Sequence, residues 1–369
     1  MENRFSKISW IVVTKLITEG ISKLIEGNDL ASTEATGIMN EIMLGKATDA
    51  QIAALLTALR MKGETVDEIT ALASTMRKFC HQIHPKNKTR IVDTCGTGGD
   101  KIKTFNISTI AAIVAAGAGV TIAKHGNRSV TSNCGSADVL EALGFNLKMP
   151  PNQVEKSIEN IGIGFMFAPT FHPAMKYAIA PRREIKIRTV FNILGPLTNP
   201  ANAKAQLLGV YDSHLTEPLA NALSNLGTEK ALVVHGLDGL DEISTIGQTK
   251  MTFLRNGEIS TSDVSPEDLG ARVMEKKDIE GSSPAECAST TYRLLNSNNG
   301  DSENNPTLNM AIVNAAAAIY LGSNTETIKE CIDPARESIR SGSAYKKLRS
   351  LIEFSQGNIS KLEEMEKHE

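Results

Sequence analysis

Residues 93–144 read DTCGTGGDKIKTFNISTIAAIVAAGAGVTIAKHGNRSVTSNCGSADVLEALG, and they leave few folds open. An almost unbroken run of small apolar residues, Ile107 to Ala123, lies between two polar, glycine-containing segments, Gly96 to Asp100 and Lys124 to Ser136. A short buried run between two chemically loaded loops is the pattern of an α/β fold that holds a ligand at the end of a sheet. Gly96, Gly98 and Gly99 remove side chains from a turn, so backbone N–H groups there can approach an anion closely. The spacing is neither GxxxxGK[ST] nor GxGxxG, so no motif points to ATP or NAD.

The flanking sequence sets the architecture. From Ile91 onward, short apolar segments at 91–92, 120–123, 163–167, 206–210 and 231–234 alternate with helical patterns near 107–116, 136–143, 151–160 and 215–226. That alternation predicts an α/β fold with a mostly parallel central sheet covered on both faces. A β-rich strip follows at 250–259. Residues 296–305 read as a surface loop, and 310–322 as a buried small-residue helix. Residues 15–80 read instead as helices, with capping boxes at Thr48-x-x-Gln51 and Thr65-x-x-Glu68 and a terminating Gly63. With 369 residues and 41% apolar content, two domains are expected. These are a small all-helical domain over 1–84 and a larger α/β domain over 90–180 and 205–354, with a charged tail at 355–369. The stretch 181–204 interrupts the α/β pattern, either as a segment returning to the helical domain or as a long loop at a sheet edge. Its TVFNIL reads as a helix turn or a strand by periodicity alone.

Charge and cysteines exclude several classes. A formal charge of -3 gives no overall bias toward nucleic acid, so an anionic substrate must be met by a local cluster. Five scattered cysteines without CxxC or zinc spacing, and no signal peptide, point to the cytoplasm. The apolar start, Ile8 to Val13, is too short to span a bilayer. No Ser–His–Asp spacing or GxSxG motif supports nucleophilic hydrolysis.

The chemistry concentrates in a few places. Lys124, His125, Asn127 and Arg128 follow a strand candidate and suit phosphate oxygens, Arg as a planar fork and Lys as a point charge. Asn106 or Ser108 is a plausible N-cap, and the start of that helix beside GTGGD offers free N–H groups to a phosphate. Asp241-Glu242 fits magnesium held by one or two carboxylates plus substrate oxygens, and equally a solvated turn. His172, in FHPAMK, reads as a wall or gate residue.

With these segments in view, the chain resembles the anthranilate phosphoribosyltransferase family, within the nucleoside phosphorylase/phosphoribosyltransferase group. The shared motifs, in order, are QIAALLTALRMKGET, DTCGTGGD, TFNIST, KHGNR, GSADVLEALG, GIGFMFAP, HPAMK, IRTVFNILGPLTNP and DGLDEIS, spread between about Leu16 and Phe354. The resemblance implies transfer of a phosphoribosyl group from 5-phosphoribosyl 1-diphosphate to the amine of anthranilate, in tryptophan biosynthesis. It assigns the phosphoribosyl diphosphate to Gly96, Gly99, Asp100, Thr104, Asn106, Ile107, Ser108 and Thr109. Lys124, His125, Gly126, Asn127, Arg128, Ser129, Val130, Thr131, Ser132 and Ser136 complete that site. It assigns anthranilate to Gly96, Asn127 and Arg182, and two magnesium ions to Ser108, Asp241 and Glu242. No side chain acts as a covalent catalyst in this reading. A homodimer through the helical domain is also expected, with the apolar face of residues 50–61 as the exposed surface. Asn133-Cys134 departs from the family pattern.

Overall fold

The structure is a computed structural model that describes residues 15–87, 89–99, 105–129, 134–275, 283–297 and 305–367. The chain forms two compact units, Met1–His81 with Phe171–Thr198 and Gln82–Thr170 with Asn199–Glu369.

The first unit opens with helices α1 (Lys15–Ile25), α2 (Ser32–Met43), α3 (Asp49–Lys62) and α4 (Val66–Lys78). Both capping boxes form as read. The Thr48 hydroxyl accepts from Gln51 N at 3.2 Å while the Gln51 side chain accepts from Thr48 N at 2.9 Å, and Thr65 and Glu68 repeat the exchange. Gly63 ends α3 at φ 89°, a conformation that a Cβ would penalise. The face of residues 50–61 is not the open surface that its pattern predicts. Ile52, Leu55, Leu56 and Leu59 are buried inside the bundle, and among that segment's large apolar residues only Met61 is exposed. Each buried leucine or isoleucine contributes about 1.5–3 kcal/mol, so the bundle itself has first claim on that face.

The second unit begins with β1 (Ile91–Gly96), α5 (Ile107–Gly117), β2 (Thr121–Gly126), α6 (Ser136–Ala142), α7 (Pro151–Ile161) and β3 (Ile163–Phe167). Strand β2 runs through Gly126, so Lys124 and His125 are strand residues and not part of the following loop. The chain then re-enters the helical unit at Phe171, about ten residues earlier than the sequence pattern indicates. That segment carries α8 (Lys176–Ile185), which packs on α3, and a single helical turn at Phe191–Leu194 that resolves the ambiguous TVFNIL.

Back in the second unit lie β4 (Ala205–Gly209), α9 (Thr216–Asn225), β5 (Lys230–Gly236), β6 (Thr249–Arg255) and β7 (Glu258–Val264). Helices α10 (Pro284–Asn296), α11 (Pro306–Gly322), α12 (Ile332–Arg340), α13 (Ser343–Phe354) and α14 (Ser360–Lys367) complete it. The sheet order is β3-β2-β1-β4-β5-β6-β7, parallel through β5 and antiparallel thereafter, with Val92 opposite Ala205 and Ile122 opposite Ile163. The chain runs outward from β1 to β2 and β3 and then crosses back to β4 on the other side of β1, and such a switch point opens a crevice at the strands' carboxyl ends.

The small residues of α5 are explained by crowding. This helix packs against α11, α12 and α13, and a Cβ on Gly117 would lie 2.7 Å from the backbone nitrogen of Ala344. The Ser338 hydroxyl donates to Val114 O at 2.7 Å across the same contact. The C-terminal stretch is not a solvated tail. Leu362 of α14 is fully buried, and Asn358 N donates to Gly144 O at 2.8 Å. One buried leucine and a few backbone bonds in a mostly charged octad leave no periodic signal. Most of the loop expected at 296–305, and the apolar start 8–13, lie outside the described residues.

Candidate active site

Strands β1, β2 and β4 end at the crevice in Gly96, Gly126 and Gly209. The DGLDEIS loop, residues 238–244, folds over the ends of β1 and β4. A Cβ on Gly209 would fall 1.5 Å from Asp241 O, and one on Gly96 would fall 2.6 Å from Asp241 Oδ2. Glycine at these two strand ends therefore permits the loop's approach. Asp241 Oδ2 accepts from Gly98 N at 2.9 Å, and Glu242 Oε1 accepts from Ser108 N at 3.1 Å. Both carboxylates are only 9% exposed, which rules out the solvated-turn reading of this pair.

The start of α5 is held from beneath. Asn106 occupies the N-cap position without making a side-chain cap bond; its Nδ2 donates instead to Cys134 O at 3.1 Å. The cap is supplied from a distance by Glu242, a negative group at the positive end of a helix. Lys124 reaches from β2 under this helix start, donating to Thr94 O and, at 3.2 Å, to the Ser108 hydroxyl, while the Thr94 hydroxyl donates to Ser108 O at 3.0 Å. Burial pushes the Lys124 ammonium below the usual lysine range, and the charges of Asp93 and Glu242 oppose that shift. Lys124 is thus a buried post beneath the helix start. Asp93 is itself buried, and its Oδ1 accepts from His125 N at 3.0 Å.

The turn after β2 is closed by α6. Asn127 O accepts from Ala137 N at 3.2 Å and from the Ser136 hydroxyl at 3.3 Å. Asp138 collects Ser129 N and Gly135 N, and the exposed Arg128 bonds Asp138 and both oxygens of Glu141. These acidic partners hold the Arg128 guanidinium above its ordinary pKa.

Gly96, Gly99, Asn106 to Thr109, Lys124 to Ser129, Ser136, Asp241 and Glu242 therefore all belong to the α/β unit, most of them at the strand ends or the start of α5. Asp100, Thr104, Val130, Thr131 and Ser132 lie outside the described residues. Arg182 belongs to the helical unit, on α8. Its guanidinium lies 5.3 Å over the Phe191 ring, burial lowers its pKa, and among the described residues no carboxylate pairs with it. His172 is buried there too, and burial pushes its imidazole down to about 4.

Asp241, Glu242 and the Ser108 hydroxyl form a set of hard oxygen donors, chemically suited to magnesium. Among the described residues no group of three or more acidic, imidazole or thiol ligands gathers anywhere, so substrate oxygens would have to complete the coordination. Sequence reasoning missed Asp93 and Asp138, and also the fully buried Asn314 of α11, which bonds Ile243 N and O directly after the carboxylate pair. Asn314 could have been noticed as a lone amide within the apolar run of α11.

Residues 18–80 match the helical bundle domain of a glycosyl transferase family, and residues 88–345 match the α/β domain of the same family. The chain is 51% identical over 341 residues to the anthranilate phosphoribosyltransferase of Alkaliphilus metalliredigens, covering 92% of this chain and 99% of that one. The chain belongs to the anthranilate phosphoribosyltransferase family. An anthranilate phosphoribosyltransferase of Methanocorpusculum labreanum is likewise 51% identical, over 93% of this chain and 99% of its own length. Among solved structures, the anthranilate phosphoribosyltransferase of Thermus thermophilus superposes with a TM-score of 0.85 at 39% identity, covering 91% of this chain and 99% of that one. That of Saccharomyces cerevisiae, in complex with phosphoribosyl diphosphate and Mg, gives a TM-score of 0.84 at 29% identity, over 92% and 98% of the two chains.

Proposed function

We infer that this chain transfers the 5-phosphoribosyl group from 5-phosphoribosyl 1-diphosphate to the amino nitrogen of anthranilate, releasing diphosphate, as a step of tryptophan biosynthesis. Beside its family membership, the observation that carries this reading is the meeting of Asp241 with the glycine loop, of Glu242 with the start of α5, and of the buried Lys124 with that same helix start at the switch point of the sheet.

In the reaction, the amine lone pair of anthranilate forms the new N–C1 bond as the C1–O bond breaks. The bonding electron pair leaves on the diphosphate, and the surplus amine proton passes to solvent. No protein nucleophile is required. Gly96, Gly99, Asn106 to Thr109, Lys124 to Ser129 and Ser136 are the residues we assign to the phosphoribosyl diphosphate, with backbone N–H groups and the dipole of α5 directed at its oxygens. Because Gly98 N and Ser108 N now bond Asp241 and Glu242, phosphate oxygens that take those donors release the two carboxylates. Asp241, Glu242 and Ser108 are then the groups for magnesium, two ions per site in our reading. When bound, magnesium neutralises charge building on the leaving diphosphate.

Arg182, a partly buried fork without a carboxylate partner among the described residues, is our choice for the carboxylate of anthranilate, with Gly96 and Asn127 beside the amine. Holding the neutral amine in line with C1 supplies gain through orientation. We also place the protein in the cytoplasm, in keeping with five cysteines present as free thiols. No helix among the described residues is long and apolar enough to cross a membrane. A homodimer through the helical unit is supported by the exposed Leu16, Leu44 and Met61 of that unit; a monomeric mass by light scattering at micromolar protein rejects it.

The test of function is a substrate screen with purified protein, following diphosphate release and the loss of anthranilate fluorescence with magnesium present. Turnover of uridine with phosphate, and none of anthranilate, reverses the assignment.

A further inference from the structure

Helix α11 passes behind the DGLDEIS loop, and its Asn314, fully buried, holds the backbone of the residue that follows the carboxylate pair. Asn314 Oδ1 accepts from Ile243 N at 3.0 Å, and Nδ2 donates to Ile243 O at 3.0 Å and to Met310 O at 3.0 Å. The amide thus satisfies both polar backbone groups of one residue, as a neighbouring strand would.

The other described bonds from the two carboxylates are of a different kind. Asp241 and Glu242 are tied to Gly98 N and Ser108 N, the donors that a bound phosphate competes for. Binding substrate therefore removes those tethers at the moment when the carboxylates must stay in place. Asn314 takes no part in that exchange, because it grips the backbone from the core side. We propose that Asn314 is a positioning residue that keeps Asp241 and Glu242 in register while their Gly98 and Ser108 donors pass to the substrate. The proposal rests on the reading of this site as a magnesium and phosphoribosyl diphosphate site. Its distinctive consequence is that losing the clamp weakens the substrate-bound state more than the free protein.

The experiment compares wild type, Asn314→Ala and the double variant Asp241→Asn/Glu242→Gln. Calorimetry measures binding of phosphoribosyl diphosphate with magnesium and no anthranilate, and hydrogen exchange follows the Ile243 amide with and without that ligand. Asn314→Ala is expected to weaken binding about tenfold and to lose the protection that the ligand gives the Ile243 amide in wild type. A lowered melting temperature with affinity within about twofold of wild type and ligand protection intact marks a merely structural residue and overturns the proposal. Wild type that binds no phosphoribosyl diphosphate overturns the site reading and the clamp with it, whereas wild type that binds beside a defective double variant leaves that reading standing and judges Asn314 alone. Should Asn314→Ala fail to fold, Asn314→Asp carries the test. Its carboxyl retains both an acceptor and a donor when protonated, so its defect relative to wild type must shrink as pH falls; a defect that is absent or independent of pH overturns the proposal.

Discussion

Replacing Gly96 with alanine perturbs one carboxylate and little else. The glycine does not adopt a positive φ, so alanine meets no backbone strain. The added Cβ lies 2.6 Å from Asp241 Oδ2 and 3.3 Å from its Cγ. Carbon and oxygen rest at about 3.3–3.6 Å, so the carboxylate oxygen must retreat by roughly 0.7 Å or more. That movement breaks the 2.9 Å bond from Gly98 N and turns the carboxylate from its position over the end of β1. Substrate binding gives up the Gly98 bond in any case, so the cost falls on the contact that the displaced carboxylate should make in the bound state; a charge-assisted contact contributes about 1.5–3 kcal/mol, which corresponds to roughly a ten- to hundredfold change. We expect half-saturation by magnesium with phosphoribosyl diphosphate to rise by that factor. The melting temperature should fall by only a few degrees, because the clash is relieved by a side chain. Gly209→Ala is the contrasting case: its Cβ would sit 1.5 Å from a backbone oxygen, so the loop itself must move and the fold should suffer first. Unchanged magnesium dependence in a folded Gly96→Ala enzyme would refute the placement of Asp241 at the site.

Arg182→Ala should reduce catalytic efficiency with anthranilate roughly ten- to a hundredfold through a lost charge-assisted contact; a rise confined to half-saturation by phosphoribosyl diphosphate puts the residue in the wrong half of the reaction. Asp241→Asn with Glu242→Gln should largely abolish turnover in a folded protein, whereas a rate within about twofold of wild type sinks the metal assignment. His172 gives a pH signature. Its folded-state pKa of about 4 lies below the ordinary 6.5, so the unfolded chain takes up a proton that the fold resists. Stability is therefore full above the unfolded value and declines as pH falls from about 6.5 toward 4, by up to about 3 kcal/mol. His172→Gln should flatten that slope in melting temperatures measured against pH; an equal slope in both proteins assigns it to other groups.

What was legible in the sequence was local or periodic. Capping boxes announce themselves within four residues, and the capped helices begin where Thr48 and Thr65 say they should. Alternating short apolar runs mark the parallel strands, although the polar Lys124 and His125 hide the last residues of β2, where the chain buries charge by satisfying it. The carboxylate pair is recognisable as a candidate, but its burial is not, because it follows from glycines distant in sequence at the ends of other strands. Asn106 looks like a helix cap by position, yet Glu242, 134 residues from the amide it holds, makes the bond. Contacts of that sequence separation are set by the order of the strands, and no window of neighbouring residues records them. Leu362 is hidden for the same reason, since a lone leucine among charges acquires meaning only when its partners are known.

The two-segment make-up of the helical unit bears on how the protein is made. Its first 81 residues leave the ribosome long before Phe171–Thr198, and at about 5–20 residues per second the wait is on the order of ten seconds. During that interval α3 lacks α8, the helix that packs on it in the finished protein, and Phe171, Leu194 and Leu197, fully buried at the end, do not yet exist as chain. The α/β sequence between them must be threaded out before the smaller unit can close, so that unit waits for Thr198 even though the larger unit, which runs on to its C-terminal helices, finishes later still. A fragment ending at His81 accordingly holds the four helices of the bundle without the buried residues of Phe171–Thr198 that complete the unit.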